Sequence, residues 1–168
     1  MENQHQIITQ AASYINQSIA GLEVKNAKID FKASWYNLTQ PPGINEFIKD
    51  TGAIANSFGP DGMIIIGFDD KKKELSHATF AESGLRDSSQ LPHLINKRVD
   101  RLFYFSLIET EILGFKISIL HIPPSFDKPH VTRNYQTFDK QTSPRKIFIF
   151  SEISNPCSIA NQIKEPPE

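Results

Sequence analysis

Cysteine is almost absent from this chain. Cys157 stands alone in 168 residues, which excludes an internal disulfide and any zinc site built on cysteine pairs. Long apolar runs are also missing. None approaches the roughly 18 residues that a membrane span needs, and the polar start MENQHQIITQ lacks the basic and apolar segments of an export signal. These absences lead to the expectation of a soluble, cytoplasmic protein. Net charge is nearly absent too, at −1, so nothing global marks a polyanionic partner. No internal repeat is visible. Gly59-Pro60-Asp61-Gly62 lacks the Gly-Lys-Ser/Thr of a phosphate-binding loop and precedes a strand, so no nucleotide cofactor is expected. The five histidines show no metal-ligand spacing and read as surface or loop residues.

What the chain does have is twelve Phe and 39% hydrophobic residues, enough for one packed domain. The organising stretch is Ile44–Asp70. Ile44, Phe47/Ile48, Ile54/Ala55 and Phe58 recur at helical spacing, with Gly59 placed just past the helix end. Proline and glycines then force a turn. Met63-Ile64-Ile65-Ile66 is continuously apolar and β-branched, as a strand covered on both faces would be. It delivers Asp69 and Asp70 to its far end.

Around this unit the chain reads in order. Residues 3–20 form an amphipathic helix with Ile8, Ala11/Ala12, Ile15 and Ile19 as its stripe, stopped by Gly21, and with an uncharged Gln/Asn/Ser outer face. Residues 25–34 alternate as a strand, with Ile29 and Phe31 on one face and Lys28, Asp30 and Lys32 on the other. Trp35 to Gly43 reads as a loop. Lys71-Lys72-Lys73-Glu74 reads as a hairpin turn into a strand from Leu75 to Ala78. Ser88 or Ser89 can cap a third helix, whose Leu91, Leu94/Ile95, Val99 and Leu102 point inward and whose Lys97, Arg98 and Arg101 form a basic ridge. Residues 103–109 and 115–122 form a hairpin about Gly114. A loop-rich stretch over 125–143 and a last strand over 146–150 follow. The domain is expected to span 1–155, with 156–168 a linker-like tail. The fold class is α+β: a mixed, mostly antiparallel sheet with helices packed on it.

Charge is unevenly spread. Residues 86–146 hold ten Lys and Arg against six Asp and Glu. Such a surplus can be a solvated surface, or it can track a phosphate backbone. The cations available for that are Lys25, Lys28, Lys97, Arg98, Arg101, Lys128, Arg133 and Lys146.

Ala53-Ile54-Ala55-Asn56-Ser57-Phe58-Gly59, then Gly62 and Ile64-Ile65-Ile66-Gly67-Phe68-Asp69-Asp70, resembles the signature of the Schlafen/AlbA-like family. Upstream, Ile29-Asp30-Phe31-Lys32 is similar to the family's strand ending in Glu-Phe-Lys, with Asp30 at the glutamate position. The resemblance covers residues 21–150 and implies a single Schlafen/AlbA-like lobe. It implies a catalytic set of Asp30, Asp70 (or Asp69) and Lys32, with Asp30 and Asp70 holding Mg²⁺ or Mn²⁺ for phosphodiester cleavage. A further acid of the pattern falls on Lys25, and Glu23 lies two residues earlier. The Arg and Gly of the family's last strand are replaced within Phe148–Glu152. Three functions follow as expectations. One is binding of RNA or single-stranded DNA around a degenerate carboxylate site. Another is metal-dependent cleavage of structured RNA such as tRNA. The last is a protein-interaction domain of a larger, bacterial-type system, defence-related in some versions. A lobe that supplies half a groove is expected to form a homodimer, or to find its partner beyond Glu168.

Overall fold

The computed structural model describes residues 2–132 together with 148–149. Its elements run α1 (Glu2–Ile19), β1 (Ile29–Lys32), α2 (Pro41–Asn56), β2 (Gly62–Ile66), β3 (Phe68–Asp69), β4 (Glu74–Leu75), a 3₁₀ turn (Phe80–Ser83), α3 (Gln90–Asn96), β5 (Ser106–Ile112), β6 (Phe115–Ile122), β7 (Val131–Thr132) and β8 (Phe148–Ile149). The main sheet has the order β1-β2-β6-β5. β1 runs parallel to β2, with α2 as the crossover, and the other two pairings are antiparallel. This is the expected α+β fold with a mixed, mostly antiparallel sheet.

Two apolar layers explain why β2 is buried along its whole length. On one face Ile64 and Ile66 meet α2 through Phe47, Ile48 and Ile54, together with Leu91 and Ile95 of α3. On the other, Met63 and Ile65 join Ile7, Ala11 and Ile15 of α1. A run with no polar alternation suits a strand covered on both sides. The β5–β6 hairpin turns through Leu113 and Gly114, both at positive φ, as a tight turn between twisted strands requires.

Several local expectations change. The buried stripe of α1 is Ile7, Ala11, Ile15 and Ser18, and Ile19 is exposed. α2 starts at Pro41, three residues before its apolar spacing suggested, with the proline in the first turn where its missing N–H costs nothing. It stops at Asn56, and Phe58 points outward instead of into the core. Trp35, Tyr36 and Leu38, expected in a loop, are buried. The indole N–H of Trp35 donates to the Ser118 hydroxyl at 3.0 Å, and that hydroxyl donates to the Ala78 carbonyl at 2.8 Å. α3 ends at Asn96, so Lys97, Arg98 and Arg101 lie on the segment after the helix, and Leu102 is exposed. Phe103 and Phe105 precede β5 instead of belonging to it, because Phe103 turns toward His130. No helix among the described residues is long and apolar enough to cross a membrane.

Candidate functional site

Two charged regions form, one beside β1 and one where the loops meet at the start of β5. Beside β1, strand alternation turns Asp30 and Lys32 toward α2, where Glu46 and Asp50, four residues apart, present their carboxylates on one helix face. The Lys32 ammonium lies 2.7 Å from Asp50, 3.3 Å from Asp30 and 3.5 Å from Glu46. Burial works against its charge, but the hydrogen bond and charge of Asp50, with Asp30 behind them, win and hold its pKa above the ordinary lysine value. The Tyr36 hydroxyl donates to Asp50 at 3.0 Å; burial, then the charge of Asp50, pushes its pKa well up. Asp30 is further clamped by Lys25 at 2.6 Å.

Asp70 is held from the opposite layer. The hydroxyl of Ser18 in α1 donates to it at 2.5 Å, and the Lys73 ammonium sits 2.8 Å away. Lys73 first, then Ser18, lowers the Asp70 pKa against desolvation, and the charge of Lys25 adds to the effect. Lys25 therefore pairs with Asp30 and is felt by Asp70. Asp69 instead accepts the backbone N–H groups of Lys71 and Lys72, shaping the β3–β4 turn. These residues do not fit a divalent cation as they are arranged. The carboxylates expected as ligands already face ammonium groups, and no cluster of three or more His, Cys, Asp or Glu suited to a metal occurs among the described residues.

The second region is assembled by His130. Its Nδ1 donates to the Arg101 carbonyl at 2.6 Å, which leaves Nε2 to accept from the Ser125 hydroxyl at 2.7 Å. Its backbone N–H donates to the Asn56 side chain, whose amide donates back to the His130 carbonyl. Phe103 packs edge-on to the imidazole, with ring centres 5.1 Å apart. One buried residue thus joins the end of α2, the segment before β5 and the loop after β6. Arg101 pairs with Asp127 at 2.9 Å, and the Lys128 ammonium lies 4.4 Å from the centre of the Phe58 ring while donating to the Ser57 carbonyl. Lys97 is exposed, and Arg98 reaches back to the Leu94 carbonyl at 3.4 Å.

Of the cations expected to meet a phosphate chain, this rim holds Arg101 and Lys128, and Lys97 and Arg98 lie just before Arg101 in the chain. Lys28 is not on the exposed face assigned to it. It is buried and donates to the Ile54 carbonyl at the end of α2 at 3.1 Å. Lys25 belongs to the carboxylate cluster, while Arg133 and Lys146 fall outside the described residues. The reading of the histidines as surface or loop residues fails for His121, which is buried within β6 and pairs with Asp61 at 2.7 Å; His130 lies in a loop, though buried there. Sequence reasoning also missed Asp50, Glu46, Ser18 and Lys73. The i, i+4 spacing of Glu46 and Asp50 was the one available signal, and it acquires meaning only when β1 docks beside α2.

The Schlafen AlbA_2 family profile matches residues 25–149, most of the chain. The chain belongs to this family. Among curated proteins nothing matches. The AlbA_2 fold recurs in solved structures. The N-terminal domain of a Nitrosomonas europaea protein described as related to the ATP-dependent DNA helicase RecG aligns over 93% of this chain and 98% of its own length, with a TM-score of 0.50 and 13% identity. The DIP2311 protein of Corynebacterium diphtheriae aligns over 75% of this chain, with a TM-score of 0.49 and 17% identity. The chain spans 23% of the length of that protein.

Proposed function

We propose that this AlbA_2 domain is a nucleic-acid-binding module that holds the phosphate backbone without cleaving it. The observation that carries the reading is that His130 joins the segments bearing Arg101 and Lys128, with Lys97 and Arg98 three to four residues before Arg101 on the same stretch. Charge placed on a fixed surface is what phosphate contacts require, with no base-specific geometry. The likeness to a domain of a helicase-related protein adds support. In the carboxylate cluster the acids face ammonium groups, which favours binding over cleavage.

The test is fluorescence anisotropy with labelled oligonucleotides, comparing the wild type with the triple charge reversal of Lys97, Arg98 and Arg101 to Glu. Binding to the wild type that the reversal abolishes is the expected result. Unchanged affinity in the triple variant would overturn the location of the site. Cleavage of a tRNA probe in the presence of Mn²⁺, lost on Asp30→Asn, would replace the reading with a nuclease.

A further inference from the structure

Resting on that reading, we infer that the rim binds single-stranded nucleic acid by stacking bases on Tyr104 and Phe126. These rings are 87% and 99% exposed, and Leu102, two residues before Tyr104, is 54% exposed. Phe58, 72% exposed, already carries the Lys128 ammonium 4.4 Å from its ring centre. Phe31, Phe47, Phe68, Phe80 and Phe103 are all buried, so the core had room for aromatic residues and these two were left out of it. Large exposed rings on segments joined at one residue mark a binding site more often than an isolated apolar residue does.

A neighbour of each ring is tied into the domain, which separates them from idle loop residues. Phe126 lies between Ser125, hydrogen-bonded to His130, and Asp127, paired with Arg101. Tyr104 follows Phe103, which packs on the His130 ring. Phe58 follows Ser57, whose hydroxyl donates to the Ala27 carbonyl at 2.8 Å and whose own carbonyl accepts from Lys128. Rings therefore project from segments anchored on His130, and the cations Arg101 and Lys128 lie on those same segments. A single strand offers that same alternation of flat bases and phosphates, and every base has a face to stack. A duplex hides those faces in its own stack and would meet the cations alone.

Asp127 adds a sharper expectation. Its pair with Arg101 is exposed on both sides and holds little energy, so a phosphate can displace it. Asp127→Asn should then tighten binding, because Arg101 no longer has a resident anion to exchange.

The experiment measures anisotropy with labelled 20-nucleotide oligo-dT and oligo-rU and with a 20-base-pair duplex, at low salt. The proteins are the wild type, Phe126→Ala, Tyr104→Ala and Asp127→Asn. The three substituted side chains are exposed, so folding should survive, and urea midpoints check it. Expected are at least a tenfold preference for single strands, a loss of about tenfold for each ring removed, a gain with Asp127→Asn and ultraviolet cross-links to peptides carrying residues 104 and 126. Equal binding of oligo-dT and oligo-rU follows from stacking alone, whereas tighter oligo-rU assigns the strand as RNA. Equal binding of strand and duplex with the ring variants unchanged would overturn the stacking inference and leave phosphate binding standing. No binding to any probe would overturn both. Ring variants that change oligomeric state but not affinity would make the patch a protein contact and overturn the inference.

Discussion

Single side chains in this domain hold charge inside it only where a second group answers. Lys32 is such a case, mostly shielded yet charged because Asp50 faces it at 2.7 Å. Replacing Asp50 by Asn keeps the shape and removes the nearest of its answering charges. With Asp30 and Glu46 still facing Lys32, it should cost about 1 kcal/mol, read as a lower urea midpoint. Asp70 gives a pH signature. Its lowered pKa contributes stability that is present above the ordinary carboxylate value of about 4 and is lost as pH falls through the lowered folded value. Asp70→Asn should therefore be less stable than wild type at pH 7, with the difference vanishing in acid. His130 acts on a different limb. Burial lowers its pKa, opposed by the Arg101 carbonyl and Asp127 and helped by Lys128 and Arg101 themselves. Its neutral form fits both of its ring hydrogen bonds, so stability should fall as pH drops below about 6.5 and level off under the folded value. Urea melts at pH 7.5 and 5.5 test this, since His130→Gln should flatten the difference.

Among the elements, legibility followed locality. The β2 run, the Gly114 hairpin and the amphipathic α1 could be read because their signals are carried by neighbouring residues. The end of α2 could not, because Phe58 repeats the helical spacing while Ser57 caps the helix before it. The carboxylate cluster was half legible: Asp30 and Lys32 announce themselves on a strand, but their α2 partners depend on docking. The aromatic rim was invisible, because exposure of a Phe is decided by packing across distant segments. Gly43 gives a test in which local and tertiary preferences oppose each other. Helix propensity favours Gly43→Ala by about 1 kcal/mol. A methyl group there would lie 2.1 Å from the Asn37 carbonyl oxygen, a backbone atom that cannot easily withdraw. The variant is expected to melt below wild type, and a higher melting temperature would refute the packing argument. Ile15→Ala, which removes a fully buried contact of α1, should cost about 2–4 kcal/mol in urea titrations.

At the scale of the whole molecule, the rim predicts how binding responds to salt. Four phosphates neutralised on a single strand give a slope near −2.8 in log K against log salt, a loss of about 50-fold between 50 and 200 mM. A slope near zero would sink an electrostatic interface. Oligomeric state is a separate question. The outer face of α1 carries Gln4, Gln6, Gln10, Ser13, Asn16 and Gln17, all exposed and uncharged, and could meet a second copy without desolvating ions. Light scattering at micromolar concentration should then give twice the 19.0 kDa chain mass, and a clean monomer would end the homodimer proposal.

The buried Lys28 changes what that rim can do. Its ammonium answers the Ile54 carbonyl at the negative end of α2, while the Ser57 hydroxyl sits among the carbonyls of Ala27, Ala53 and Ile54 and donates its one proton within that group, nearest to Ala27 at 2.8 Å. The short segment carrying Phe58 is thereby immobilised before any ligand arrives. Ordering a loop and a side chain on association costs conformational entropy, about 0.5–1.5 kcal/mol for a rotamer-rich side chain alone. Here folding has already met that cost for Ser57 and its neighbours. Lys28→Met should preserve the cations and rings yet weaken binding through a less favourable entropy, visible by calorimetry as a change in TΔS at nearly constant ΔH. Preorganisation of one turn of chain, secured by an amine that never touches the ligand, would then set part of the affinity.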